Sequence, residues 1–226
     1  LEGGAHALLV PIGLAAIALV DQSLLSSGAP VLIPANAYFP HKSLAAHELA
    51  RWGIAHRFYD PMDVESLRAA LGPDVALVWI EPPGSVTLEF PDLRGLVRAV
   101  RAHAPRALVG LDNTWGSGLA FDAFDLDPGA APALAVDLTI HALTKYPSGG
   151  ADVMMGAVVT RAQALHDQLA MTHCRLGLGV GPGDVALVLR GLQTVALRYA
   201  AQDAATRRIA QWALGRKEFV RVLHPA

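Results

Sequence analysis

The sequence predicts an α/β fold in which helices cover both faces of a mostly parallel central sheet. Two observations lead to this prediction. Short apolar runs such as VALVWI (75–80) and ALVGL (107–111) alternate along the chain with longer stretches of helical spacing such as HKSLAAHELARWG (41–53). The apolar runs are also continuous, with no polar residue at every second position, which is typical of strands buried on both faces of a parallel sheet.

The first half of the chain is predicted to contain four strands and four helices. The strands are expected in ALLVP (7–11), PVLIP (30–34), AHRFYD (55–60) and VALVWIEPPGS (75–85), the last of which runs into a turn. The helices are expected over residues 13–25, 41–53, 63–72 and 91–105. Local signals define these helices, since Asp63 is a typical N-cap, Gly72 a typical stop and Pro91 a typical first-turn residue.

The second half is predicted to add strands in ALVGLDNTWG (107–116), AVDLTIHALTK (135–145) and VMMGAVVT (153–160), with a surface loop over 125–136. Helical spacing follows over residues 161–173 and 183–214. We expect a large α/β domain over residues 1–200 and, over 201–226, a helix that leads toward a second domain absent from the sequence. The segment GLGVGPG (177–183) lacks both a preceding strand and the G-x-G-x-x-G spacing, so we interpret it as a turn between helices.

Charge and composition argue against several kinds of partner. The 18 basic and 20 acidic side chains give a net charge of −2 without a basic block, so nucleic acid is not an expected partner. The apolar run over residues 7–20 contains Pro11 and Gly13 and is too short to cross a bilayer, so no membrane is expected either. The nine histidines show no metal-ligand spacing, and no metal site is expected.

The remaining composition is that of a globular protein, with 53% hydrophobic and 17% charged residues in a chain of 226. Cys174 is the only cysteine, which excludes an internal disulfide and favours a cytoplasmic location. The sequence opens on Leu1, has no initial Met, and stops at VLHPA. We therefore expect it to be a fragment of a longer protein.

Small and polar residues follow several of the predicted strands. Ligands of open α/β sheets bind beyond the carboxyl ends of the strands, and the residues at those ends are Gly13 with Leu14, Tyr38, Glu81, Asp112 and Lys145. Each also has an ordinary structural explanation: a tight turn for Gly13, a rim aromatic for Tyr38, a cap for Asp112, an arginine partner for Glu81 and a side chain reaching to water for Lys145.

Lys145 stands out because it is one of only three lysines and follows the apolar run IHALT (140–144). We expect its ammonium group to be partly desolvated, which is costly unless the group is paired or used chemically. Pyridoxal 5′-phosphate (PLP) needs an amine for a Schiff base, a carboxylate for its ring nitrogen, a phosphate cradle and a flat group over its ring. Lys145, Asp112, the helix start at Gly13 and Tyr38 together meet these needs.

Two long stretches carry a resemblance to a known family. VGLDNTWGSGLAFDAFDL (109–126) and DLTIHALTKYPSGGADVMMGAVV (137–159) resemble the PLP-dependent enzymes of cysteine and methionine metabolism, as do LEGG (1–4), GLAAI (13–17) and NAYFP (36–40). The resemblance runs from Leu1 to Ala226. It implies an aspartate-aminotransferase-like fold (PLP fold type I), PLP as cofactor, and a homotetramer built from dimers.

The resemblance also implies roles for individual residues. Lys145 matches the Schiff-base lysine, Asp112 the carboxylate that keeps the pyridine nitrogen protonated, and Tyr38 the tyrosine stacked on the ring. These three are the expected catalytic residues. The backbone N–H groups of Gly13 and Leu14 and the hydroxyl of Thr144 are the expected phosphate donors.

Three departures from the family pattern bear on function. Ala142 stands where the family often has a serine, and Gly149-Gly150-Ala151-Asp152 stands where it has Gly-His-Ser-Asp. EPPGS (81–85) lacks the Ser/Thr-Asn-Pro that is typical of synthases and γ-lyases and resembles the cystathionine β-lyase branch. The resemblance therefore implies a carbon–sulfur β-lyase acting on an amino-acid thioether, with L-cystathionine giving homocysteine, pyruvate and ammonia.

Two alternatives remain open on the sequence alone. One is γ-elimination or γ-replacement on the same scaffold, as in methionine or cystathionine γ-lyase and γ-synthase. The other is a PLP-binding fragment without activity. It follows from the resemblance, because the family's substrate-carboxylate arginine lies in a C-terminal domain and further phosphate contacts come from a neighbouring subunit, and neither region is expected in these 226 residues.

Overall fold

The computed structural model describes residues 2–225 and contains one seven-stranded sheet. Its strands are β1 (His6–Val10), β2 (Val31–Pro34), β3 (His56–Tyr59), β4 (Leu77–Ile80), β5 (Leu108–Asp112), β6 (Leu138–Ala142) and β7 (Gly156–Thr160). They lie side by side in the order β1-β7-β6-β5-β4-β2-β3. The ladders from β6 to β3 are parallel, and β7 runs antiparallel to its neighbours β6 and β1. The predicted mostly parallel sheet is thus confirmed.

The helices are α1 (Gly13–Leu24), α2 (Phe39–Leu44), α3 (Val64–Ala70), α4 (Leu93–His103), α5 (Gln163–Leu176), α6 (Pro182–Leu192) and α7 (Val195–Leu214). A π-helical turn (Ala45–Leu49) continues α2. The segment over 125–136 contains no helix or strand, and residues 177–181 form the turn between α5 and α6, as predicted. Helix α7 passes without a break through residue 200, where the sequence placed a domain boundary.

Two predicted helix starts can be compared with the observed caps. Asp63 caps α3 as expected, since its side chain accepts a 2.9 Å hydrogen bond from the Glu65 N–H. Pro91 is not in the first turn of α4, and that prediction was wrong. Asp92 takes the cap position instead and accepts from the Gly95 N–H at 2.9 Å, so Pro91 lies one residue outside the helix.

Alternate residues of the strands pack into two cores on opposite faces of the sheet. In β4, Val78 and Ile80 belong to the core that also contains the buried residues of α3 and α4. Leu77 and Trp79 belong to the core that contains the buried residues of α1. Helices therefore cover both faces, as the continuous apolar strands predicted. None of the helices within residues 2–225 is long and apolar enough to cross a bilayer.

The strand directions bring the polar strand ends together. Strands β2 to β6 share one direction, and β1 shares it too, because β7 is antiparallel to both β1 and β6. The carboxyl ends of all six strands consequently meet at one edge of the sheet. The residues that follow β1, β2, β4, β5 and β6 are the ones for which the sequence predicts a ligand site.

Candidate active site

A cavity of about 230 Å³ opens at this edge of the sheet. Its lining includes every site residue that the sequence predicted, namely Gly13, Leu14, Tyr38, Asp112, Thr144 and Lys145. The structure thus brings six residues from four separate chain segments into one cavity.

The start of α1 forms one wall of the cavity. Gly13 begins the helix three residues after the end of β1, and the N-cap residue of the helix, Ile12, makes no side-chain cap hydrogen bond. The first N–H groups of a helix have no partner within the helix, and the helix dipole adds partial positive charge there. A methyl group at position 13 would lie 2.8 Å from the Cβ of Ala142, so only glycine fits without a shift. Gly13 is both the tight turn and the predicted anion cradle.

Asp112 is the last residue of β5 and is partly buried at the cavity wall. Its Oδ1 accepts a 3.0 Å hydrogen bond from the Thr114 N–H, so it also stabilises the turn that follows the strand. Burial raises the pKa of the Asp112 carboxyl, while contacts with Thr114 and the positive charges of His141 and Lys145 lower it in part. Asp112 is therefore a carboxylate whose ionised form gains from a cationic partner in the cavity.

Lys145 lies in the turn after β6, where its N–H donates to the Ala142 carbonyl at 3.1 Å. Lys145 as a whole residue is exposed, and the partial desolvation expected for its ammonium stays a prediction. The apolar run before it includes the end of β6, and the lysine lies beyond the strand and lines the cavity. Its Nζ lies 4.2 Å from the centre of the Trp115 ring, which places the ammonium over an aromatic face.

Thr144 lines the cavity, and its hydroxyl also bonds the neighbouring main chain. The hydroxyl accepts from the Met155 N–H at 3.0 Å and contacts the Met155 carbonyl at 3.3 Å. These bonds join the turn after β6 to the segment that leads into β7. Thr144 thus fixes the turn that carries Lys145.

Tyr38 and Glu81 also line the cavity. The Tyr38 side chain is 39% exposed at the rim, and its main-chain N–H donates a 2.8 Å hydrogen bond to Glu81 Oε2. Burial, followed by the negative charge of Asp112, raises the pKa of Glu81 to about 8. No arginine among residues 2–225 forms a salt bridge with Glu81, so the suggested arginine partner was wrong.

Some cavity residues are not among the six predicted site residues: Glu81, which the sequence placed at a strand end without a role, and Ser85, Thr114, Trp115 and Met154. The sequence contained a signal for Trp115, an aromatic residue three positions after Asp112. It contained a weaker signal for Glu81, a carboxylate at a strand end that could pair with many groups. The sequence offered no signal for Met154, which reaches the cavity only through the antiparallel return of β7 beside β6.

The residues of the cavity fit PLP. An exposed primary amine, a carboxylate that gains from a cation, free N–H groups at a helix start and an aromatic side chain line the same volume. A side chain at position 13 would fill the place beside Ala142 where the phosphate cradle is expected. This donor set matches the groups that the cofactor requires.

Known proteins resemble the chain along its whole length. It is 32% identical over 226 residues to cystathionine beta-lyase MetC of Escherichia coli K12, which covers 100% of this chain and 55% of that protein. It is 35% identical to cystathionine beta-lyase of Bordetella avium, covering 100% of this chain and 54% of that one. The chain therefore spans about half the length of the curated relatives it matches.

The fold of the chain also resembles that of a solved structure. Cystathionine gamma synthase from Xanthomonas oryzae pv. oryzae in complex with cystathionine superposes with a TM-score of 0.87 at 32% identity, covering 99% of this chain and 57% of that one. The aspartate-aminotransferase-like fold implied by the sequence resemblance is thus confirmed. The family described as Cys/Met metabolism PLP-dependent enzyme matches residues 1–226. The chain belongs to this Cys/Met metabolism family of PLP-dependent enzymes.

Proposed function

We propose that the full-length protein is a PLP-dependent carbon–sulfur β-lyase that cleaves L-cystathionine to homocysteine, pyruvate and ammonia. The observation that carries the proposal is the single cavity shared by Lys145, Asp112, Tyr38 and the start of α1. The names of the relatives from E. coli and B. avium support β-cleavage. The EPPGS turn (81–85), with Glu81 and Ser85 in the cavity lining, supports the same branch.

Bound PLP supplies an electron-withdrawing ring that stabilises negative charge at the Cα of a substrate amino acid. In the proposed mechanism, the Lys145 amine would be the group that holds PLP covalently, and it would be free as an amine once substrate is bound. The free Lys145 amine then accepts the proton from Cα as a general base.

Asp112 is proposed to keep the ring nitrogen protonated. Because burial disfavours its ionised form, a cationic nitrogen beside it restores that form, and the two charges stabilise each other. The N–H groups of Gly13 and Leu14, aided by the α1 dipole, are proposed to hold the phosphate, with the Thr144 hydroxyl as a further contact. The Tyr38 ring is proposed to cover the cofactor from the cavity rim.

The site also has to hold the substrate's carboxylate. No arginine of residues 2–225 lines the cavity, and the chain spans 55% of its E. coli relative. We therefore assign the reaction to the full-length protein. Residues 1–226 alone form the second alternative, a PLP-binding fragment without turnover.

γ-Cleavage or γ-replacement on the same scaffold remains the competing enzymatic function. It is favoured by one observation, the 32% identity to a cystathionine gamma synthase solved with cystathionine. The two reactions differ in the bond broken, and so in the keto acid released. β-Cleavage of cystathionine gives pyruvate, whereas γ-cleavage gives 2-oxobutyrate.

The deciding experiment is to incubate the PLP-loaded full-length protein with L-cystathionine and identify the keto acid. We expect pyruvate together with homocysteine, and both should disappear in Lys145→Ala. If the product were mainly 2-oxobutyrate, the proposed β-cleavage would be wrong and the protein would be a γ-cleaving enzyme. The same assay on residues 1–226 tests the fragment alternative, which requires PLP absorbance without any keto acid.

A homotetramer in the cytoplasm is also part of the proposal. It is supported by the family membership and by the single cysteine, Cys174, which is exposed and unpaired. Light scattering on the full-length protein should give four times the mass of one chain. A monomeric mass would contradict the assembly without affecting the proposed reaction.

A further inference from the structure

Glu81 is a buried carboxyl group in the cavity that the proposed chemistry does not use. It follows β4 directly, is 5% exposed and lines the cavity beside Asp112 and Lys145. Its Oε2 accepts the Tyr38 N–H at 2.8 Å, across 43 positions of sequence. The backbone N–H of Ser85 is a second donor to the same carboxyl. Glu81 thus joins the end of β4 to the segment between β2 and α2.

The main-chain N–H of Tyr38 has Glu81 as its hydrogen-bond partner. Tyr38 is the N-cap of α2, with φ −45° and ψ 121°, and makes no side-chain cap hydrogen bond. Its carbonyl accepts the His41 N–H at 3.0 Å, which ties it to α2 but not to the sheet. Its partly exposed ring makes no aromatic contact with another ring in residues 2–225. The bond to Glu81 is therefore the direct hydrogen bond from Tyr38 to the strand end.

We propose that Glu81 is a positioning residue that fixes the Tyr38 main chain, and through it the Tyr38 ring, over the cavity. The inference rests on the proposed function, because it treats Tyr38 as the side chain that covers PLP. In this proposal, the Glu81 side chain is long enough to place its acceptor oxygen within hydrogen-bond distance of the Tyr38 N–H, and this contact positions Tyr38. The negative charge of Glu81 has no part in it.

The charges around Glu81 support an acceptor that works without ionisation. Asp112 at the end of β5 and Lys145 after β6 are the ionised groups that act on it, and the Tyr59 hydroxyl of β3 lies close enough to be affected. Burial and the charge of Asp112 raise the pKa of Glu81 to about 8, which favours the protonated carboxyl. A protonated carboxyl still has a carbonyl oxygen that accepts the Tyr38 N–H.

This assignment predicts opposite behaviour for two conservative variants. Glu81→Gln keeps the length and the acceptor oxygen but can never carry charge. Glu81→Asp keeps a carboxyl group but is one methylene shorter and loses the 2.8 Å contact. If Glu81 is a positioning residue, Glu81→Gln should therefore keep Tyr38 in place and Glu81→Asp should not. If the charge of Glu81 acted on Asp112 instead, the order would be reversed.

The test measures Tyr38 in two ways. Amide hydrogen exchange on the full-length protein without PLP should be about tenfold faster at Tyr38 in Glu81→Asp and unchanged in Glu81→Gln. PLP affinity, from absorbance titration, should fall by about tenfold in Glu81→Asp and by no more than about threefold in Glu81→Gln. The control is Glu89→Gln in the same turn, because Glu89 lines a different cavity, beside Asn36, and should leave both readouts unchanged.

A double-mutant cycle shows whether Glu81 acts through Tyr38. In a Tyr38→Ala background, Glu81→Asp should cause no further loss of PLP affinity. An equal loss in both backgrounds, or a Glu81→Gln variant as weak as Glu81→Asp, would overturn the proposal. If the wild-type protein bound no PLP, the proposed function would fail. The exchange measurement, made without PLP, would still decide the role of Glu81.

Discussion

The Arg198 guanidinium on α7 donates a 2.7 Å hydrogen bond to the main-chain carbonyl of Tyr146, the residue after Lys145. The same guanidinium donates to the Gly191 carbonyl of α6 at 2.7 Å, and its Nε bonds the Thr194 hydroxyl at 3.1 Å. One side chain thus ties the Lys145 turn to two helices. The turn that carries the proposed catalytic amine is held by a residue more than fifty positions later in the chain.

We expect Arg198→Met to loosen this turn. Hydrogen bonds from a charged donor contribute about 1.5–3 kcal/mol, and Arg198 is partly exposed, so the free energy of unfolding should fall by about 1–3 kcal/mol. PLP affinity should fall as well. Urea denaturation and absorbance titration measure the two effects. Arg190→Met is the control, because its salt bridge with Asp152 is exposed, and it should change the unfolding free energy by less than about 1 kcal/mol.

Gly13→Ala should damage the phosphate cradle. Its methyl group would lie 2.8 Å from the Ala142 Cβ and 3.2 Å from the Ala142 Cα, so the start of α1 has to shift away from β6. We expect a loss of about 1–3 kcal/mol in the free energy of unfolding, together with weaker binding of PLP and of inorganic phosphate. Gly179→Ala is the matched control, since no atom lies within 4 Å of a methyl group there. Equal phosphate binding by both variants would contradict the cradle.

The sequence was sufficient to predict the mostly parallel sheet and the sheet edge at which the candidate site lies. Continuous apolar runs identify buried strands, and parallel strands bring their carboxyl ends together, so Asp112 and Lys145 could be placed at one edge without coordinates. The Glu81–Tyr38 contact could not be foreseen, because it joins positions 43 apart through tertiary structure. Nor does the sequence show how far Lys145 is exposed, because the apolar run before it describes the strand, not the turn that follows.

Asp112→Asn should separate the structural role of Asp112 from its proposed catalytic role. Asn keeps an oxygen for the Thr114 N–H but cannot hold the ring nitrogen protonated, so turnover of the PLP-loaded protein should fall roughly 100-fold or more. Burial raises the pKa of Asp112, so its contribution to stability is lost as the pH rises. The unloaded variant should therefore equal or exceed the wild type in stability at pH 8.

The matched control for that prediction is Asp122→Asn. Asp122 Oδ1 accepts the Phe124 N–H at 2.8 Å in a similar turn, outside the cavity. It should retain wild-type turnover. Steady-state kinetics and thermal denaturation at pH 6 and pH 8 provide both readouts. Undiminished turnover in Asp112→Asn would remove this carboxylate from the proposed mechanism.

Behind the cavity wall, Asp21 of α1 is fully buried between β4 and α2. Trp79 Nε1 donates to its Oδ1 at 2.8 Å, and His41 Nε2 lies 3.8 Å from its Oδ2. Burial raises the pKa of Asp21 from 3.8 to about 7 and lowers that of His41 from 6.5 to about 3. Asp21 Oδ2 and His41 Nε2 have no hydrogen-bond partner within residues 2–225, so two buried polar atoms face each other between α1 and α2.

Asp21→Asn should stabilise the protein increasingly as the pH rises. The raised pKa means that the stability contributed by Asp21 is present below about pH 4 and is lost as the pH rises through about 7. The lowered pKa of His41 has the opposite effect, because the stability contributed by His41 is lost as the pH falls from 6.5 toward 3. In the wild type, the pH dependences of Asp21 and His41 therefore oppose each other. The difference in unfolding free energy between variant and wild type reports on the Asp21 carboxyl alone, because Asn can still accept the hydrogen bond from Trp79.

Urea denaturation should show that Asp21→Asn gains a few kcal/mol in unfolding free energy at pH 8 and almost none at pH 4.5. Asp74→Asn, an exposed control, should show a small difference at both pH values, and a gain for Asp21→Asn that shrinks as the pH rises would contradict the assignment.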